Sequence, residues 1–263
     1  MSETKKRLML EHYSSEWSRD KYAKVELWEV ERVLVSRFIP RDSKILEMGC
    51  GAGRATIPLK KMGHDITGID IVPRMIEGAR HNARESSLQI DFAVMDASET
   101  GFEDGSFDAV LFLYNGIESV PGDPKRQKVI NEAYRILKDG GVFLLVTQSV
   151  FNRRGAGLCA RKFVNSVARR LTLEKARPFD YLNGLEYGEC VIWLDGMKSF
   201  VVKLTNPFTL RRWLRDAGFR VDYINSRNRV LDDRLPSPLS AFTDRTMYYV
   251  AVKGSNSEPD RKK

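Results

Sequence analysis

The sequence predicts an α/β protein: a doubly wound, mostly parallel sheet of seven strands, with helices before it and an insertion after the fifth strand. Three observations lead there. Between residues 44 and 147, strand-like apolar runs alternate with helix-like segments, which implies right-handed crossovers and parallel pairing. The run Ile45-Leu46-Glu47-Met48-Gly49-Cys50-Gly51-Ala52-Gly53-Arg54 reads as a buried strand, a glycine turn and the start of a helix. Asp70 closes the next apolar run, Asp65-Ile66-Thr67-Gly68-Ile69-Asp70. A carboxylate there can take ribose hydroxyls, while the glycines let the backbone approach a nucleoside.

From the N-terminus, residues 7–38 read as two helices, with Val25, Leu27, Trp28, Val30, Val33 and Leu34 on one apolar side. Pro40-Arg41-Asp42-Ser43 breaks them and delivers the first strand, Lys44–Met48. A helix over Arg54–Met62 stops at Gly63, and Asp65–Asp70 is the second strand. Pro73 suits the first turn of a helix that continues over Arg74–Glu85. The third strand, Gln89–Met95, ends in Asp96-Ala97, and Gly105-Ser106-Phe107-Asp108 turns into the fourth, Ala109–Leu113. An amphipathic helix over Asp123–Leu137 is stopped by Asp139-Gly140-Gly141 ahead of the fifth strand, Val142–Thr147.

After Gln148 the rhythm breaks. Residues 149–206 hold a basic, helix-like stretch and two strands around Glu189–Leu194 and Lys198–Leu204, with Gly196 in a hairpin-like turn. A helix at Thr209–Ala217 and strands at Phe219–Ile224 and Thr246–Val252 follow, with a loop at Pro236-Ser237-Pro238. The expected organisation is one domain over 1–253. It comprises N-terminal helices (1–39), a cofactor-binding core (40–148), the basic insertion (149–206) and the rest of the sheet (207–253), then a disordered tail, 254–263.

A chain of 263 residues can bury a substantial core. No apolar run approaches the ~18 residues of a membrane span, and Met1–Arg7 leads into no signal-type segment. Cys50, Cys159 and Cys190 have neither metal-ligand spacing nor an obvious pairing, so a reduced, cytoplasmic protein is expected. The formal charge is +8. Residues 151–186 carry eight basic side chains against three acidic ones, so more than half of the excess lies outside the nucleoside-binding half.

Dehydrogenases bind dinucleotides through G-x-G-x-x-G. Here Arg54 stands where that fingerprint wants its third glycine, after Gly49, Gly51 and Gly53, and Glu47 precedes the first glycine by two residues. These residues resemble motif I of the class I (Rossmann-like) S-adenosylmethionine-dependent methyltransferases, a resemblance covering roughly 40–150. It continues through Asp70, Asp96-Ala97 and Phe107-Asp108-Ala109-Val110-Leu111. It closes at Ile136-Leu137-Lys138-Asp139-Gly140-Gly141-Val142-Phe143, where Asp139 replaces the family's usual proline.

The resemblance implies roles. Glu47, Gly49, Gly51 and Gly53 would lie under the methionine part of S-adenosyl-L-methionine, and Asp70 would accept from both ribose hydroxyls. Ile71 would cover one adenine face, Asp96 would accept from the adenine amino group, and the Ala97 amide would lie near the ring. Leu113 and Tyr114 would border the reacting methyl. Gly63, Gly68 and Gly78 read instead as packing or capping glycines, Cys50 as a small residue rather than a nucleophile, and His81 as a surface group. His64 follows a helix stop away from the site; His12 lies in an N-terminal helix that can fold over the cofactor in this family.

The implied reaction is in-line displacement of a methyl group, for which the protein mainly positions the partners. The segment Leu113-Tyr114-Asn115-Gly116-Ile117-Glu118 lacks the N/D-P-P-Y/F motif of adenine and glutamine methylation, and no Pro-Cys nucleophile for cytosine C5 chemistry is present. Tyr114, Asn115 and Glu118 are the candidates for orienting the acceptor; the bland alternative is a turn at Asn115-Gly116 and a solvated Glu118. In residues 157–171, Leu158, Phe163, Val164, Val167, Ala168 and Leu171 recur at helical spacing among Arg161, Lys162, Arg169 and Arg170. That segment reads as a substrate lid, an RNA-binding surface or a lipid-facing helix. The aromatics Phe179, Tyr181, Tyr187 and Trp193 are nearby in sequence and could meet a bound ring or fill a core. The expected function is methylation of an O or N atom of a small molecule. RNA methylation and non-catalytic cofactor binding are the alternatives; no metal site is expected, and the oligomeric state is unassigned.

Overall fold

The computed structural model describes residues 2–15, 18, 24, 26–151, 189–192 and 200–254. Its centre is a seven-stranded sheet of order β3-β2-β1-β4-β5-β9-β8. The strands are β1 (Lys44–Met48), β2 (Asp65–Asp70), β3 (Asp91–Val94), β4 (Phe107–Phe112), β5 (Leu137–Gln148), β8 (Phe219–Ser226) and β9 (Thr246–Lys253). The five from β1 to β5 pair in parallel, and β9 runs antiparallel between β5 and β8. The expected doubly wound, mostly parallel sheet is therefore present. Strand order reverses between β1 and β4, and open α/β sheets bind ligands outside the strand ends at that point.

Successive residues of a strand point to opposite faces, so β1 feeds two cores. Leu46 and Met48 join Val110, Phe143 and Leu145 beneath two helices, α6 (Asp123–Ile136) and α7 (Pro207–Asp216). Ile45 joins Ala109, Leu144 and Val146 beneath α2 (Glu29–Phe38). Continuous apolar runs such as Ala109–Leu113 follow from this two-sided burial. Among the described residues, the remaining α-helices are α1 (Ser2–Tyr13), α3 (Thr56–Lys61), α4 (Pro73–Glu85), α5 (Gly116–Ser119) and α8 (Arg227–Leu231).

Several boundaries differ from the sequence reading. Leu27 and Trp28 precede α2 rather than belonging to it, with Trp28 as its N-cap, and Val25 lies outside the described residues. α3 starts at Thr56, not Arg54, because Gly53 has φ +83° and the Arg54 carbonyl accepts from the Glu26 amide (3.1 Å). β3 is shorter than Gln89–Met95. β5 begins at Leu137, which pairs with Phe107 before the register shifts. α7 begins at Pro207 because the Asn206 side chain accepts from the Phe208 and Thr209 amides.

Within the insertion, β6 (Glu189–Ile192) and β7 (Phe200–Lys203) form the expected antiparallel pair. Its turn at Gly196, the helix over 157–171, the aromatics Phe179, Tyr181, Tyr187 and Trp193, and the tail beyond Gly254 lie outside the described residues. Among the described residues, no helix is long and apolar enough to cross a membrane, and no group of His, Cys, Asp and Glu is placed to hold a metal ion.

Candidate functional site

The carboxyl ends of β1, β2, β3 and β4 open into one cleft of about 1020 Å³, its mouth included. Glu47, Gly49, Gly51, Asp70, Ile71, Asp96, Ala97, Leu113 and Tyr114 all line it. Gly53 does not; a Cβ there would stand 3.1 Å from Ile57, so this glycine serves helix packing. Gly49 (φ +66°) is required twice over, because a Cβ would also lie 2.7 Å from the Phe112 ring. At Gly51 a Cβ would meet nothing within 4 Å, so the backbone there fronts open cleft where a ligand can approach.

Asp70 is set by the end of β2. Its Oδ2 accepts from the Gly51 amide (3.0 Å) and its Oδ1 from the Val72 amide (2.9 Å), which fixes the carboxylate and leaves lone pairs toward the cleft. Desolvation pushes its pKa up to about 6. Glu47 lies deeper, and burial pushes it up to about 7, although Thr56 Oγ1 donates to its Oε2. Asp96 accepts from the Ser98 amide (3.0 Å) and hydroxyl (2.8 Å) and from Lys125 Nζ. These donors outweigh its desolvation and hold it below the ordinary carboxylate range. The cleft thus offers carboxylates at three strand ends and an open glycine backbone, a donor set that fits a cationic nucleoside.

The other wall comes from elsewhere in the chain. Lys6, Met9 and Tyr13 of α1 line the cleft, and the Tyr13 hydroxyl is 3.0 Å from Ser119 Oγ. The N-terminal helix does reach the site, but His12 is not on the wall; it is buried beside Ser18, with Nε2 3.4 Å from Oγ. After β4 the chain turns sharply. Tyr114 and Asn115 both have left-handed φ (+52° and +61°), which costs on the order of 1–3 kcal/mol per residue. Such strain persists where the surroundings enforce it.

The acceptor candidates separate here. Tyr114 is on the cleft wall, whereas Asn115 stands at the N-cap position of α5 with no side-chain capping bond and Glu118 is buried away from the wall. Glu118 is not solvated. Its carboxylate accepts from the Gln148 amide and from Thr205, and burial pushes its pKa well up. Cys50 is on the wall, but burial pushes its thiol up, and it packs under Gly68, whose Cβ would lie 3.0 Å from its Sγ. Gly78 packs on Ala52, Gly63 ends α3 at φ +98°, and His81 is exposed. Burial lowers the pKa of His64, which is not on the cleft wall.

Residues 45–141 match the family model described as "Methyltransferase domain". Residues 45–141 therefore form a methyltransferase domain. The methyltransferase is 27% identical over 191 residues to a ubiquinone biosynthesis O-methyltransferase of Xanthomonas axonopodis pv. citri, covering 72% of this chain and 68% of that protein. It is 36% identical over 106 residues to the protein of that name from Xanthomonas oryzae pv. oryzae, covering 40% of this chain and 43% of that one. An S-adenosylmethionine-dependent methyltransferase from Methanosarcina mazei shares the fold, with a TM-score of 0.66 at 23% identity over 87% of this chain and 99% of that one. The [4+2]-cyclase SpnF shares it too, with a TM-score of 0.56 at 18% identity over 86% of this chain and 80% of that one. The cofactor of the methyltransferase is S-adenosyl-L-methionine.

Proposed function

We propose that the methyltransferase transfers the cofactor's methyl group to an oxygen of a small-molecule acceptor that enters between Tyr114 and α1. The observation carrying this is the cleft: its carboxylate and glycine wall is continuous with a second wall made by Tyr13, Tyr114 and Ser119. When bound, the cofactor supplies a methyl group on a sulfonium that leaves as a neutral thioether. Gly49, Gly51 and Glu47 would hold the methionine portion, Asp70 the ribose, and Ile71, Asp96 and Ala97 the adenine. Leu113 and Tyr114 would border the methyl, and Asn115 would act only by shaping their turn. Glu118 would act only as a support beneath that turn. Alignment of the two reactants, with water excluded by Met9 and Phe112, is then the main catalytic contribution. The relatives' printed names favour oxygen over nitrogen and a small molecule over RNA.

The test uses methyl-labelled S-adenosylmethionine and a cell extract, with and without nuclease. Label in a nuclease-insensitive, small-molecule fraction is the expected result. Nuclease-sensitive label in large material would instead make the basic 151–186 segment an RNA surface and replace this reading. No label in any fraction, with cofactor still bound, would leave a non-catalytic binding protein.

A further inference from the structure

Arg54 occupies the third-glycine position of the dinucleotide fingerprint, and the structure gives its side chain a specific task. Its guanidinium makes two bonds to the Glu31 carboxylate, Nη1 to Oε2 at 2.8 Å and Nη2 to Oε1 at 2.7 Å. Glu31 is fully buried, so this is a desolvated, bidentate pair rather than a surface one. Nη1 also donates to the Glu26 carbonyl (2.8 Å), and the Trp28 amide donates to Glu31 Oε2 (3.0 Å). The guanidinium therefore has one fixed plane. Two rings meet it: its carbon is 5.0 Å from the Trp28 ring centre and 5.2 Å from that of Tyr114, and the two rings are themselves 5.0 Å apart.

Tyr114 is the residue this stack holds. It is partly exposed, lies on the cleft wall, and sits in a left-handed conformation that a tyrosine does not choose unaided. The next residue but one, Gly116, packs so closely on Phe112 that a Cβ would lie 2.2 Å from its ring. The backbone is thus clamped below and the ring is clamped from the side.

We infer that Glu31 and Arg54 are positioning residues for the acceptor: through Arg54, the buried Glu31 carboxylate fixes Trp28 and Tyr114 as one rigid wall of the acceptor site. The inference rests on the reading of this cleft as the site of methyl transfer. Because Arg54 belongs to the cofactor loop, the loop and the acceptor wall move as one body. Neither Glu31 nor Trp28 lines the cleft, so Trp28 acts through Tyr114, and Glu31 acts through Arg54 and through its direct bond from the Trp28 amide.

The test compares Glu31→Gln, Arg54→Lys, Tyr114→Ala and the Arg54→Lys/Tyr114→Ala double variant with the full wild-type chain. The acceptor source is the nuclease-treated small-molecule fraction of the extract, titrated by dilution against methyl-labelled cofactor. Glu31→Gln and Arg54→Lys should each need about tenfold more extract for half-maximal rate, with the maximal rate and the calorimetric affinity for S-adenosylhomocysteine each within about threefold, whereas Tyr114→Ala, which removes the wall itself, should raise the extract requirement at least as much and lower the maximal rate as well. The double variant should be no worse than Tyr114→Ala. Additive losses in the double variant, or a fall in S-adenosylhomocysteine affinity with the extract requirement unchanged, would overturn the inference. Arg54→Lys preserves the charge and serves if Glu31→Gln does not fold. If the wild type labels no small molecule, the parent reading fails by itself. Amide hydrogen exchange in the S-adenosylhomocysteine complex then decides: exchange at residues 113–116 should rise at least tenfold in Arg54→Lys, and unchanged exchange there sinks the inference.

Discussion

At one end of the cleft, Gly49, Gly51 and Asp70 come from two neighbouring parallel strands, and each acts through backbone geometry or one fixed carboxylate. At the other end, Lys6, Met9 and Tyr13 arrive on α1, Tyr114 on the turn after β4 and Ser119 on α5, while Trp28 backs them from ahead of α2. The first end is written in short, contiguous stretches of sequence. The second is assembled by tertiary contacts between segments far apart in the chain. A cofactor shared by many reactions can be met by a fixed local motif, whereas an acceptor peculiar to one reaction is met by side chains that can vary independently.

The contrast can be broken most severely at Gly49. Gly49→Ala combines a left-handed backbone with a clash against Phe112 and should cost about 2–4 kcal/mol of stability. Cofactor binding should fall at least a hundredfold, read by thermal melting and calorimetry together. Asp70→Ala leaves the backbone free of strain and should weaken S-adenosylmethionine binding about 10–100-fold, the worth of one or two charge-assisted hydrogen bonds. An affinity unchanged by that substitution would remove Asp70 from the ribose.

Acidity provides a milder probe of the same end. Glu47 and Asp70 have pKa values raised to about 7 and about 6, so lowering the pH from 8 to 5 protonates both. A cationic sulfonium favours the ionised carboxylates, so affinity for S-adenosylmethionine should fall by about tenfold over that range. Affinity for S-adenosylhomocysteine, neutral at sulfur, should fall less, so the ratio of S-adenosylmethionine affinity to S-adenosylhomocysteine affinity should fall below pH 7. Without cofactor the sign is opposite: the folded chain holds these protons more tightly than the unfolded one, so these two groups favour folding more as the pH drops through 7 and 6. Parallel titrations of the two ligands by calorimetry check the first point, and melting of the ligand-free chain checks the second.

The smallest effect sharpens the other end. Glu118→Gln keeps the acceptor atom for the Gln148 amide and replaces a buried ionisable group with a neutral one. It should change stability by about 1 kcal/mol and leave cofactor affinity within about twofold. A large loss of methyl transfer without loss of stability would return Glu118 to the acceptor site.

The sequence was readable where chemistry is local. Glycine spacing, Asp70 and the alternation of runs led to the parallel strands, because positive-φ turns and two-sided burial leave compositional traces, and the family resemblance that those residues carry led to nine cleft residues. It was less readable where a residue's neighbour is distant. Nothing around Tyr114 announces a left-handed tyrosine; Phe112, Gly116, Arg54 and Trp28 enforce it jointly. Glu118 read as an acceptor-orienting group or else a solvated one, not as a buried support, because its partners, Gln148 and Thr205, are distant in the chain. The Asn206-Pro207 pair did carry a readable cap signal, and it moves the start of α7 two residues upstream of Thr209.

The two ends of the insertion meet. Thr205 donates its amide to the Gln148 carbonyl (2.8 Å), the Val150 amide donates to Thr205 (3.0 Å), and Glu118 fastens both. The chain therefore leaves β5 and returns toward α7 through one stapled point at the carboxyl end of β5. Closing a loop twice as long across such a staple costs only about 0.6 kcal/mol more. The length of chain between this staple and β6 can consequently change at little cost to the sheet, whereas β7 is bound into the fold, because it packs on α1 and α5 and Lys203 pairs with Asp123.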